Sequence, residues 1–129
     1  MIYGIGHDVL EIARISRLLG RDTGMKFLHR ILTGNEYKLA GDRGGNLAEY
    51  AAGRFAAKEA VVKALGCGIG REAGFQDIEI LPDAKGKPAV LLSEASWDRI
   101  GLASSEYVIH VTITHTRELA SAFAVVERR

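Results

Sequence analysis

The stretch "RFAAKEAVVKALG", residues 54–66, decides how the rest of the chain is read. It is rich in alanine, valine and leucine and closes on Gly66, a residue suited to ending a helix. Upstream, Asn46 with Glu49 three residues on has the spacing of a capping box. The pattern predicts a long helix capped by Asn46 and running to about Leu65. At about 100° per residue, with Phe55 as zero, Ala48, Ala51, Val62 and Gly66 fall close to Phe55. Glu59 lies about 40° away, inside that apolar stripe, and Lys63 follows on its edge. Lys58 and Arg54 take the other flank; Ala57, Ala60 and Ala64 take the far face. A carboxylate in an apolar stripe has two readings. It is half of an i,i+4 pair with Lys63, worth ~0.3–0.5 kcal/mol. Or it points into a cleft, where Lys63 or a metal ion must offset its burial.

Outward from the helix, "IYGIGHDV" (2–9) predicts a first strand. Alternation puts Ile2, Gly4, Gly6 and Asp8 on one face. That face is almost bare of side chains, so another element such as the long helix can come close. Asp8 alone reads as a strand-ending aspartate. Asp8 with Glu59 makes a minimal oxygen set for Mg²⁺, which takes one or two carboxylates and completes its shell with water and phosphate.

Short helices are expected at 13–19 and about 23–31, with a further helical turn or two at 33–41. "CGIGREAG" (67–74) reads as a glycine-rich loop. "FQDIEIL" (75–81) and "PAVLLS" (88–93) read as two strands joined by a turn. Ser93 caps a helix to about Leu102. "EYVIHVTITHT" (106–116) and "LASAFAVVE" (119–127) form a hairpin, with His115 at its turn. The mixture lacks strict βαβ alternation, so the fold class is α+β. The chain, 1–129, is one domain by length.

Composition excludes several classes of function. Cys67 is the one cysteine, so no internal disulfide forms and a reducing compartment fits. No leader pattern and no long apolar run is present, which predicts a cytoplasmic protein with no membrane span. No P-loop, dinucleotide fingerprint, nucleophile elbow or spaced zinc set occurs. His110 and His7 are weaker candidates than His115, and the "GCGIG" loop is a weak phosphate signal. Net charge is +1 overall. Residues 13–30 carry five basic residues (Arg14, Arg17, Arg21, Lys26, Arg30) against Asp22, a local +4 that leaves −3 for the remainder. Such a patch suits an acidic partner. Phe27 is the only aromatic beside it, which argues against nucleic acid.

"MIYGIGHDVLEIARI" (1–15), the "RFAAKEAVVKALG" helix with "GIG" after it, and "ITHT" (113–116) resemble the holo-acyl-carrier-protein synthases. These are the small bacterial type of 4′-phosphopantetheinyl transferase. The resemblance spans nearly the whole chain, "FQDIEIL", "GKP" and the closing hairpin included. Thr112 stands where many relatives carry serine. The resemblance implies a mainly antiparallel sheet packed with the long helix, assembled as a homotrimer with sites between subunits. It implies transfer of the phosphopantetheine arm of coenzyme A to a serine of apo acyl carrier protein, a step of fatty acid biosynthesis. By residue match, Asp8 and Glu59 hold Mg²⁺, and Lys63 contacts the coenzyme A phosphate. Arg54, His115 and Thr116 contact coenzyme A, and Gly66 to Gly70 and Pro88 line the nucleotide pocket. Arg14, Arg17, Leu18, Arg21, Lys26 and Phe27 dock the carrier. Glu59, directly or through a water relay, takes the serine proton. Two rival readings are a Mg²⁺-dependent phosphohydrolase and a non-catalytic module that binds nucleotide or carrier protein.

Overall fold

The computed structural model describes residues 1–43 and 46–129. The elements run β1 (Ile2–Glu11), α1 (Ile12–Leu19), α2 (Gly24–Ile31), α3 (Gly34–Arg43) and α4 (Leu47–Leu65). They continue with β2 (Ile78–Pro82), β3 (Pro88–Leu92), α5 (Glu94–Ile100), β4 (Tyr107–His115) and β5 (Leu119–Arg128). An antiparallel sheet has the order β1-β5-β4, and β2-β3 form a separate hairpin. This is the expected α+β arrangement of an antiparallel sheet on a long helix.

Local chemistry explains the ends of α4. The Asn46 side chain accepts from the Glu49 amide at 3.1 Å. At the other end Gly66 adopts φ 82°, its amide bonds Lys63 O, and the Cys67 amide bonds Val62 O. That pair of bonds is a Schellman closure, which needs the left-handed conformation glycine supplies.

The helix buries more than the stripe expected around Phe55: Ala48, Ala51 and Val62 are buried as expected, and the far face is buried with them. Ala57, Ala60 and Ala64, placed on the far face, are buried at 0–3% exposure. Phe55, Glu59 and Lys63 lie along the line that reaches solvent. The reason is size. Sheet and helix meet through their smallest residues, Gly4 and Gly6 of β1 and Ala120, Ala122 and Ala124 of β5, all on the inner face of the sheet. A Cβ at Gly4 or Gly6 would run into the carbonyl oxygens of Ala64 and Ala60. The largest apolar residue of the stretch therefore sits at the rim.

Other departures are local. β1 extends to Glu11 and enters α1 without a loop, and its register slips between Ile2 and Gly4, so Ile2 leaves the glycine face. Phe75–Asp77 form a 3₁₀ turn rather than the start of a strand, because the Asp77 carboxylate accepts from the Gly74 amide and caps it. α5 stops at Ile100, where Gly101 takes φ 87°. α3 runs for 10 residues, longer than the expected turn or two. No helix among the described residues is long and apolar enough to cross a membrane.

Candidate active site

β1 and α4 bring Asp8, Glu59 and Lys63 together, as the sequence expects. Lys63 Nζ lies 3.3 Å from Asp8 Oδ1 and donates to His7 O at 3.0 Å. The lysine thus reaches across to the strand rather than back to Glu59 as an i,i+4 partner. Glu59 is partly exposed. Burial raises its carboxyl above the ordinary glutamate value, the Asp8 charge adds to that, and Lys63 opposes it. Two carboxylates and one half-exposed ammonium leave the site short of positive charge. A divalent cation that needs only one or two protein carboxylates fits this donor set. Among the described residues no cluster of three or more His, Cys, Asp or Glu side chains offers a fuller cage.

The loop after α4 adjoins this cluster through the chain, since Gly66 lies one turn beyond Lys63. Gly70 bonds its amide to Ala73 O. α1 begins four residues past Asp8. Arg14, Arg17, Arg21, Lys26 and Arg30 are all exposed, and Leu18 and Phe27 are partly buried between them and the core.

A second site lies elsewhere. Arg54, Pro88 and His115 line a cleft of about 290 Å³ with Glu49, Tyr50 and Gly86. Arg54 is buried, donates to Ile80 O at 3.1 Å and lays its guanidinium on the Tyr50 ring, 4.7 Å from the centroid. His115 Nε2 stands 3.4 Å from Glu49 Oε1. Thr116 does not line this cleft: its Oγ1 accepts from the Glu118 and Leu119 amides and closes the hairpin turn.

The two clusters face different ways. Arg54 and Glu59 are five residues apart on α4, hence about 140° apart around its axis. Asp8 is on β1 and His115 on β4, the two edge strands of the sheet. One chain therefore carries its carboxylates at one sheet edge and its cationic cleft at the other.

Two groups that sequence reasoning missed are Glu36 and Glu49. Glu36 is fully buried and pairs with Lys58 at 2.6 Å, both side chains at 0% exposure. Burial pulls Lys58 below the usual lysine value, and Glu36 opposes that shift. The pair spans 22 residues, so no local pattern announces it. Glu49 reads from sequence as a capping residue, which hides its place beside His115.

Comparison with known proteins gives a consistent result. The family model of the 4′-phosphopantetheinyl transferase superfamily matches residues 4–122. A holo-[acyl-carrier-protein] synthase of Bacillus cereus is 46% identical over 128 residues, 98% of this chain and 97% of the relative. A crystal structure of a holo-(acyl-carrier-protein) synthase from Bacillus anthracis in complex with CoA (3′,5′-ADP) matches with TM-score 0.83 at 43% identity, covering 100% of this chain and 99% of that one. The Helicobacter pylori holo-[acyl-carrier-protein] synthase in complex with coenzyme A matches with TM-score 0.81 at 37% identity, covering 95% and 99%.

Proposed function

This chain belongs to the 4′-phosphopantetheinyl transferase superfamily, and from that membership we propose that it is a holo-acyl-carrier-protein synthase acting as one unit over residues 1–129. It moves the 4′-phosphopantetheine arm of coenzyme A onto a serine of apo acyl carrier protein and serves fatty acid synthesis. The observation that carries the reading is the convergence of Asp8, Glu59 and Lys63 beside a basic helical surface.

The chemistry follows from these groups. The serine oxygen of the carrier attacks the phosphorus that bears pantetheine. A new P–O bond forms, the pyrophosphate P–O bond breaks, and adenosine 3′,5′-bisphosphate leaves. The chain needs no nucleophile of its own. Lys63, half in solvent, holds the pyrophosphate in line and offsets its charge. Glu59, whose proton affinity is raised by burial and by Asp8, accepts the serine proton directly or through water. Asp8 and Glu59 would hold Mg²⁺, which supplies charge neutralisation at the phosphates. Arg54 and His115 in their cleft suit a 3′-phosphate, with Pro88 against the nucleotide; the Gly66–Gly70 loop would meet the nucleotide from the carboxylate side, and Thr116 holds the turn that presents His115.

Arg14, Arg17, Arg21 and Lys26 offer cations to an acidic carrier, with Leu18 and Phe27 as apolar contacts. Because the two clusters occupy opposite sheet edges, one coenzyme A is best served by carboxylates of one chain and the cleft of the next. A homotrimer of packed sheets provides this. The outer sheet face supports it, since Ile5, Val9 and Phe123 remain 42–59% exposed in the single chain. Incubation of apo carrier protein with coenzyme A, Mg²⁺ and this protein, followed by mass spectrometry, tests the reading. The carrier gains the mass of one phosphopantetheine arm; an unchanged mass refutes it.

A further inference from the structure

We infer that Lys58 is a positioning residue that holds the carrier-docking helix α2 in fixed register with Glu59; this rests on the transferase reading above. Lys58 precedes Glu59 in sequence but points about 100° away around α4, into the protein. It is fully buried. Its three N–H donors go to three different elements: Ile31 O at the end of α2 (2.7 Å), Phe75 O in the 3₁₀ turn (3.0 Å) and Glu36 Oε1 in α3 (2.6 Å). None is left for a phosphate, so Lys58 is no second Lys63.

α2 needs such anchoring. It has eight residues, too few to be stable as an isolated helix. Its last carbonyls lack intrahelical partners. They are bonded from outside instead: Ile31 O by Lys58, and His29 O (2.7 Å) and Arg30 O (3.3 Å) by the Gln76 amide, which also reaches Leu32 O at 2.7 Å. Glu36 completes the node by accepting from the Thr33 and Ile80 amides, each at 2.8 Å. On the α2 surface, Phe27 stands over Phe55, ring centroids 6.5 Å apart, and Phe55 is one turn before Glu59. The docking side chains and the proton acceptor are thus two ends of one braced unit. An apolar side chain at 58 fills the same space, but only an ammonium bonds three acceptors at once. The brace costs the carrier less ordering of its platform on binding. The coenzyme A cleft touches the brace at one remove, through Ile80, whose amide donates to Glu36 and whose carbonyl accepts from Arg54, so the larger effect falls on the carrier.

The test is steady-state kinetics on Lys58→Met combined with Glu36→Gln, which removes both charges and leaves no unpaired buried ion. Circular dichroism first verifies the fold. The expected result is a carrier KM raised about tenfold with the coenzyme A KM within about twofold of wild type. Faster amide hydrogen exchange across residues 24–32 accompanies it. A general loss of stability lowers the active fraction and does not split the two constants. If both KM values rise together, or neither moves, the inference is overturned while wild-type transfer upholds the functional reading. A wild type that transfers nothing overturns that reading and this inference with it. Should the double variant not fold, Gln76→Ala decides, because from an exposed position it frees the neighbouring α2 carbonyls of His29 and Arg30, which belong to the same brace as Ile31 O. A carrier-specific KM rise supports the brace, and unchanged constants refute it.

Discussion

Burial and the nearby Asp8 charge both disfavour ionisation of Glu59, and Lys63 offsets only part of this. The sign of the consequence is fixed. Glu59 binds its proton more tightly folded than unfolded, so its ionisation opposes folding as pH rises above its unfolded value near 4.5. Glu59→Gln keeps the shape and removes the charge. Its thermal midpoint without metal at pH 7 should equal or slightly exceed wild type, by no more than about 2 °C given its exposure. Transfer activity should fall by about 10²-fold or more, and Asp8→Ala should do likewise. Millimolar Mg²⁺ should raise the wild-type midpoint by mass action and leave both variants unmoved. Full activity in both variants, or an equal Mg²⁺ shift in all three, would defeat the metal assignment.

At the scale of elements, the approach of β1 to α4 is the feature that builds the site. Gly6→Ala should destabilise by about 2 kcal/mol or more, because the obstacle is the Ala60 carbonyl and not a side chain that can turn aside. Urea unfolding measures it; a loss within error would mean that the strand and helix lie further apart. The 3₁₀ turn before β2 gives a pH test. Burial alone would raise the Asp77 carboxyl, but bonds from the Gly74 amide, Ser93 and Arg99 outweigh it and hold it below the ordinary aspartate value. Its contribution is present above the unfolded value and is lost as pH falls through the lower folded one. Asp77→Asn should cost about 1 kcal/mol at pH 7, with the gap closing as pH falls below the ordinary aspartate value. A gap unchanged down to pH 2 would contradict it. These elements also mark how far the sequence could be read. Caps, glycines and alternation are local signals, and they located α4, β1 and the closing hairpin. The Asp8–Glu59 pairing followed because a bare glycine face advertises a close neighbour. What stayed hidden was non-local. That the far face of α4 is buried as well depends on the small residues of β5, and the Lys58–Glu36 pair depends on where the chain brings α3 back within reach of Lys58. Helical angle alone put Phe55 inward because size passes for burial when the partner surface is unknown.

For the whole molecule, the geometry of one chain poses a question of assembly. The carboxylates lie beside β1 and the Arg54–His115 cleft beside β4, at opposite edges of the same sheet. The outer sheet face between them carries Ile5, Val9 and Phe123 in solvent. A ring of chains packed on that face would cover it and would bring the β1 edge of one chain to the β4 edge of the next. If sites are shared in this way, two crippled chains can rescue each other. On the proposed assignment, Asp8→Ala would lack the metal half and His115→Ala part of the nucleotide half; neither should transfer well alone. Mixed at equal amounts and allowed to exchange subunits, they rebuild intact sites wherever an Asp8 of one variant meets a His115 of the other. Random association in a cyclic assembly predicts about a quarter of the wild-type rate. Light scattering on the same samples should report three chains per particle. Activity that stays at the mean of the two separate variants, in particles that do exchange, would mean that each site is complete within one chain.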